Sequence, residues 1–305
     1  MTLRGPLKLF PLLGDALKDF RANDPLRIAG ATAFFTTFAL PAVLIILIQI
    51  FGLITGPRLM TRQLLENLAD VVGNKTASDL SQMLRHVRHL TNTWYMAMGG
   101  FLFLIFVATT LFTVIRGSLN QLWNIRLKDH VGLGFNLLNR VKSFLGILAG
   151  GLLFLAALLG EALLNLLKHS TSDHFFSDGL LLSGIVKQII SLLVVTAWFS
   201  ILFKYLPDGR PGWKTALAGG LFTGLLFTAG KWILQWLLSY SNMQTIYGAS
   251  TSSVLLLLFV FYSSLIFYYG ACFTKAWAIY RHAPIQPGKH AEQYQWSSVK
   301  GKTAG

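Results

Sequence analysis

The sequence predicts an all-α, polytopic membrane protein with about six transmembrane helices, and three observations carry that prediction. Apolar residues make up 53% of the 305-residue chain and charged residues only 12%, about half the share that soluble domains carry. The apolar residues gather in six runs, each near the ~20 residues that cross a bilayer. Lysine and arginine collect between those runs rather than inside them. With a mean hydropathy of +0.55, too little polar surface remains to cover a water-facing exterior.

Residues 1–26 read as a cytoplasmic interfacial segment. Leu12, Leu13, Ala16, Leu17 and Phe20 share one side of a helical spacing, which suits a helix lying on the membrane surface. Asp24-Pro25 reads as a helix start, because proline is tolerated at the first helical position. The membrane domain follows over 27–279, with spans at 27–54, 94–115, 143–167, 180–203, 215–239 and 253–279. The second run holds no charge, the sixth holds only Lys275 near its end, and Lys187 interrupts the fourth early.

Between the first two spans, 55–93 predicts two short amphipathic helices on the outer face. Leu64, Leu65, Leu68, Val71 and Val72 form one apolar stripe, and Leu80, Met83, Leu84 and Val87 form another, parted by Gly73-Asn74. The polar stretch 280–305, with its Gly and Pro, reads as a disordered cytoplasmic tail. Pro6 and Pro11, with no small-residue cleavage site ahead of the first span, make that span a retained signal anchor.

Charge placement sets the orientation. Eighteen of the 26 Lys and Arg fall in the N-terminal segment, the 116–142 and 204–214 loops and the tail, and seven fall on the opposite side. By the positive-inside rule both termini are cytoplasmic. A net charge of +14 also suits phosphate backbones. Its placement at span ends instead points to anionic headgroups, so membrane lipids are the expected partner and nucleic acid is not. A lone cysteine, Cys272, excludes an internal disulfide and a CxxC metal site.

Several segments resemble the YihY/BrkB family of bacterial inner-membrane proteins, once labelled ribonuclease BN. The first span reads Ala31-Thr32-Ala33-Phe34-Phe35-Thr36-Thr37-Phe38-Ala39-Leu40-Pro41. Leu119-Asn120-Gln121-Leu122-Trp123 follows the second, Tyr205-Leu206-Pro207 closes the fourth, Gly219-Gly220 lies in the fifth, and Tyr247-Gly248-Ala249 precedes the sixth. The sixth ends Gly270-Ala271-Cys272, where the family usually has Gly-Ala-Glu. The resemblance covers about Ala31 to Thr274 and implies a six-helix plasma-membrane protein, with serum resistance and envelope lipid export as associated roles.

Ionisable groups inside spans are costly and therefore candidate functional groups. Glu161 in the third span and Lys231 in the fifth share a depth in the outer half, with Lys187 at a similar level. Glu161 is expected to pair with Lys231 or Lys187 in an outward-opening polar cavity, against snorkelling of the lysines to the interface. Pro41 frees the carbonyl of Thr37, which Thr32, Thr36 and Thr37 hydroxyls can satisfy, so a kinked helix competes with static packing. Arg116, Asn120 and Trp123 lie on one helical face. Arg116 is either an orientation-setting charge or a contact for lipid phosphate or a substrate anion. Gly146-xxx-Gly150 and Gly220-xxx-Gly224 permit close helix approach. The polar, uncharged Tyr240–Ser253 reads as a re-entrant loop or a packed turn.

No enzyme is expected. The seven histidines are scattered, His86 and His89 stand three apart outside, His130 stands beside Asp129 alone, and no Walker A, HExxH or Gly-x-Ser-x-Gly motif occurs. No cofactor is predicted, and a ribonuclease is the least supported reading. A transporter-like protein carrying an envelope lipid or other amphiphile is the leading one. The competing class is a non-transporting scaffold that docks an envelope protein partner through 55–93; a homo-oligomer is compatible with either.

Overall fold

In a computed structural model the described residues are 9–55, 61–62, 64–66, 69, 77–82, 94–128, 179–240, 251–288 and 290–294. Five of the six apolar runs are long helices there. They are α2 (Pro25–Thr55), α3 (Trp94–Leu122), α4 (Gly179–Tyr205), α5 (Trp213–Tyr240) and α6 (Thr251–Tyr280), preceded by the shorter α1 (Leu9–Ala22). The third predicted span, 143–167, lies outside the described residues. The apolar cores Trp213–Leu234 and Ser253–Tyr280 are each long enough to cross a membrane. Within 55–93, the described parts of 61–69 and 77–82 are helical, with Leu64 and Leu80 buried and Arg62 bonded to Glu66 one turn on.

The long helices pack as neighbours in a chain of contacts: α4 on α5, α5 on α6, α6 on α2, and α2 on α3. Helix α1 lies against α6. Its apolar side, with Leu12 and Ala16 buried and Leu13 and Phe20 packed on the core, faces protein. Helix α6 thus covers much of the apolar stripe read from the α1 sequence.

Helix ends follow the local chemistry. Pro25 starts α2, with the Asp24 carbonyl accepting from the amides of Arg27 and Ile28. Helix α6 ends in a Schellman arrangement, the Ala283 amide reaching the Ala278 carbonyl and the His282 amide reaching Ile279. His282 adopts the left-handed conformation this needs (φ 52°), and Asn124 does the same after α3 (φ 55°). Helix α3 continues past its predicted end at 115 as far as Leu122. The charge at Arg116 ended the apolar run, but a partner across the fold accommodates that charge inside the helix.

The disordered-tail expectation also fails for 281–288 and 290–294. Strand β3 (Gln286–Pro287) pairs antiparallel with β2 (Gly209–Arg210), and β4 (Ala291–Gln293) pairs with β1 (Ile125–Leu127). Polar composition suggested freedom, whereas the edges of the 125–127 and 209–210 loops supply the backbone partners that order this stretch. Residues 295–305 lie outside the described set.

Apolar side chains remain on the outside in numbers a water-facing surface does not carry. On α5, Trp213, Leu217, Leu221, Leu225, Trp232 and Trp236 follow one helical face and are 46–63% exposed. Trp213 and Trp236 are about 34 Å apart at 1.5 Å rise per residue, close to the ~30 Å hydrocarbon thickness, with tryptophan at both ends as interfacial belts require.

Candidate functional site

One end of the bundle gathers the C-termini of α3, α4 and α6 and the N-termini of α2 and α5, capped by the four short strands. The Asp208 carboxylate lies at its centre. Arg116 grips it as a fork, Nε donating at 3.0 Å to Oδ2 and a terminal guanidinium nitrogen donating to Oδ1. Asn120, one turn further along α3, donates from Nδ2 to the same Oδ2 at 2.6 Å and accepts from the Asp208 amide at 2.8 Å. The Arg116 and Asp208 side chains are only 10% and 12% exposed. Desolvating two such charges costs several kcal/mol each unless geometry and further hydrogen bonds compensate. The fork and Asn120 supply that compensation.

The C-terminal strands close over this pair. The Gly288 amide donates to the Asp208 carbonyl at 2.8 Å, and the Tyr294 amide donates to Asn124. Gly209 must be glycine here: a Cβ would come within 2.7 Å of Ile125, 2.8 Å of Trp123 and 2.9 Å of Ile285. Trp123 is buried, donates from Nε1 to the Ala271 carbonyl at 3.0 Å, and packs against Phe203. Lys275 completes the cap by donating to the Leu122 carbonyl at the end of α3 and pairing with Asp19 of α1 at 2.8 Å.

The middle of the bundle is built differently. Gly219 and Thr223 on α5 face Thr274 and Gly270 on α6 in reciprocal fashion. A Cβ at Gly219 would overlap the Thr274 hydroxyl, and one at Gly270 would overlap the Thr223 hydroxyl. Each threonine hydroxyl donates to its own helix's glycine carbonyl at 2.7 Å. On the other side of α5, Gly220 and Gly224 meet Thr196 and Ser200 of α4. Thr32 of α2 and Tyr268 of α6 share a 2.5 Å hydroxyl contact. The Thr196 and Ser263 hydroxyls are buried with no hydrogen-bond partner among the described residues.

The structure brings some of the sequence-predicted residues together and leaves others apart. Arg116 and Asn120 meet on Asp208, so Arg116 is not an unengaged phosphate contact. Trp123 faces Ala271 instead. Pro207 is buried in the bend just before Asp208, Gly270 faces Thr223, and Cys272 is fully buried in the core. Lys231 is half-buried on α5. Glu161, Tyr247, Gly248 and Gly146-xxx-Gly150 lie outside the described residues, as do the Lys187 side chain and 241–250. The structure therefore assigns no partner to Lys231 or Lys187. Helix α2 runs on through Pro41, and the Thr36 and Thr37 hydroxyls bond the carbonyls of Thr32 and Ala33. That corrects the expectation that these hydroxyls satisfy Thr37's own carbonyl: each reaches back four residues, the geometry a helical threonine prefers.

Sequence reasoning missed Asp208 and Asp19. The available signal was rarity: Asp208 is the one acid in the otherwise basic 204–214 stretch of a chain with only 12 acids. Among the described residues no group of three or more His, Cys, Asp or Glu could hold a metal ion. The cluster is a satisfied ion pair, suited to holding loops in place rather than to nucleophilic or acid–base chemistry.

A family model described as Virulence factor BrkB matches residues 16–295. Among similar proteins, a UPF0761 membrane protein of Pseudomonas paraeruginosa is 27% identical over 248 residues, covering 80% of this chain and 57% of the relative. Those of Saccharophagus degradans (24% over 265 residues) and Alkalilimnicola ehrlichii (25% over 288) cover 87% and 92% of this chain, and 59% and 62% of the relatives. The chain thus spans less than two thirds of the length of these relatives. No solved structure matches it.

Proposed function

The chain belongs to the virulence factor BrkB family, and from that premise we propose a multi-pass plasma-membrane protein that moves an amphipathic substrate, foremost an envelope lipid. In this reading six helices span the bilayer, both termini are cytoplasmic, and the capped end faces the cytoplasm. The observation that carries it is where polarity sits. Among the described residues, the buried polar side chains are hydroxyls with a single exception, Arg116, which Asp208 neutralises at the capped end.

Coupling to protons or sodium calls for ionisable groups within the spans, and no carboxylate is among the described buried residues. A seam of hydroxyls and glycines suits a substrate that is largely apolar with a polar group to accommodate. The unpartnered Thr196 hydroxyl, between α4 and α5, is a natural place for such a group to pass. The exposed apolar faces of α4 and α5 favour a bilayer around that seam. The reading is non-enzymatic, and among the described residues the Arg116–Asp208 cluster serves it as a structural tie.

Proteoliposomes carrying a fluorescent phospholipid in the inner leaflet test it. Quencher added outside should reach that lipid faster with the protein than in protein-free vesicles, and Thr196→Val should slow the exchange. Flux equal to protein-free vesicles, with an envelope protein captured through 55–93, would replace this reading with the scaffold.

A further inference from the structure

At the turn between α4 and α5, exposed cations without an acidic partner among the described residues sit beside exposed aromatic rings. Arg27, Arg116, Arg126 and Lys275 each have an acidic partner. Arg210 and Lys214 are exposed and have no ion pair among the described residues, and the one acid nearby, Asp208, is taken by Arg116 and Asn120. Beside them Tyr205 and Trp213 expose 65% and 49% of their surfaces and meet edge to face at 5.8 Å. Lys204 lies 5.8 Å from the Trp213 ring centre, its ammonium donating to the Pro211 carbonyl.

This basic and aromatic cluster crowns an apolar ridge. Leu217, Leu221 and Leu225 continue from Trp213 at intervals of four and are about half exposed. From Trp213 to Leu225 the ridge is about 18 Å long at helical rise, close to half the ~30 Å hydrocarbon core plus an interfacial margin. Cations at headgroup level, an aromatic at the boundary and one leaflet's depth of aliphatic surface match the layered chemistry of one lipid molecule.

We propose that the α4–α5 turn is a docking site for an anionic phospholipid of the adjoining leaflet. Arg210 and Lys214 hold the phosphate and headgroup beside Trp213, and an acyl chain lies along Leu217, Leu221 and Leu225. The site is on the outer surface of the bundle, separate from the hydroxyl seam. It requires α4 and α5 to lie in a bilayer but requires no transport, so absence of lipid flux leaves it standing.

The full-length protein in nanodiscs of phosphatidylcholine and phosphatidylglycerol, released into native mass spectrometry, tests the site. Wild type should retain phosphatidylglycerol in excess of its bulk share. Arg210→Gln/Lys214→Gln should lower that excess by roughly fivefold per residue removed, and Leu221→Gln should lower it further. All these residues are exposed, and an unchanged helical circular dichroism spectrum verifies that the variants fold. The exposed pair Arg21→Gln/Lys128→Gln, at the same end but away from the turn, should leave the excess intact. An unchanged excess in Arg210→Gln/Lys214→Gln, or an equal loss in Arg21→Gln/Lys128→Gln, overturns the proposal. So does displacement of the lipid by millimolar inorganic phosphate, which would mark a site for free anions.

Discussion

The capped end and the middle of the bundle solve the same packing problem with opposite chemistry. At the end, loops leave the helices and expose backbone groups; Asn120 and Lys275 bond two of them, Arg116 and Asp208 neutralise each other, and Trp123 ties α3 to an α6 carbonyl. In the middle, each helix already satisfies its own backbone. What is needed there is close approach, so glycines at 219, 220, 224 and 270 remove the side chain and threonines bond back to their own helix. The contrast teaches where this protein tolerates charge. Among the described residues the buried charge, Arg116, lies where a loop supplies a carboxylate, and hydroxyls serve where only another helix is at hand.

That contrast can be broken most sharply at Asp208. Asp208→Ala leaves the Arg116 guanidinium buried without its partner, and removing one member of such a pair typically costs about 3–5 kcal/mol. Thermal unfolding in detergent should show the largest loss of any single change at the capped end. The double replacement Arg116→Met/Asp208→Leu should regain most of it, because no charge is then left stranded. Failure of the double variant to regain stability would mean that the Asn120 bond to the same carboxylate matters more than the charge pair.

The middle is probed by a matched pair of glycines. At Gly220 a Cβ would lie 2.7 Å from the Thr196 carbonyl and 2.8 Å from the Ser200 amide, backbone atoms that cannot turn aside. Gly220→Ala should therefore cost about 1–3 kcal/mol through overpacking. Gly30 in α2 has nothing within 4 Å of the same added atom, so Gly30→Ala should stabilise by roughly 0.5–1 kcal/mol. Equal effects at the two positions would show that helix propensity rather than the α4–α5 contact governs the seam.

The smallest effect is expected at Arg126, whose bond to Glu292 joins β1 to β4 in the open, with the side chains 60% and 41% exposed. Arg126→Ala should change unfolding by no more than about 1 kcal/mol. A larger loss would mean that this strand pair holds the cap together more firmly than solvent-exposed charges normally allow.

Within the described residues, sequence by itself determined which segments are helices and nearly where they begin, because hydropathy over some twenty residues is a local, additive property. Helix α2 starts at Pro25, where Asp24-Pro25 reads as a helix start, and α5 starts at Trp213 against an expected 215. It also placed Arg116 and Asn120 on one face, since helical spacing alone fixes that. Only the tertiary structure decided that this face meets Asp208, 92 positions from Arg116. It also decided that Gly219 faces α6 while Gly220 faces α4, that the apolar side of α1 packs on α6, and that 286–287 and 291–293 pair as strands. Two- and three-residue strands carry no periodicity to read, and adjacent glycines look alike in a sequence. The choice of partner depends on how helices cross in space, so those assignments had to wait for the fold.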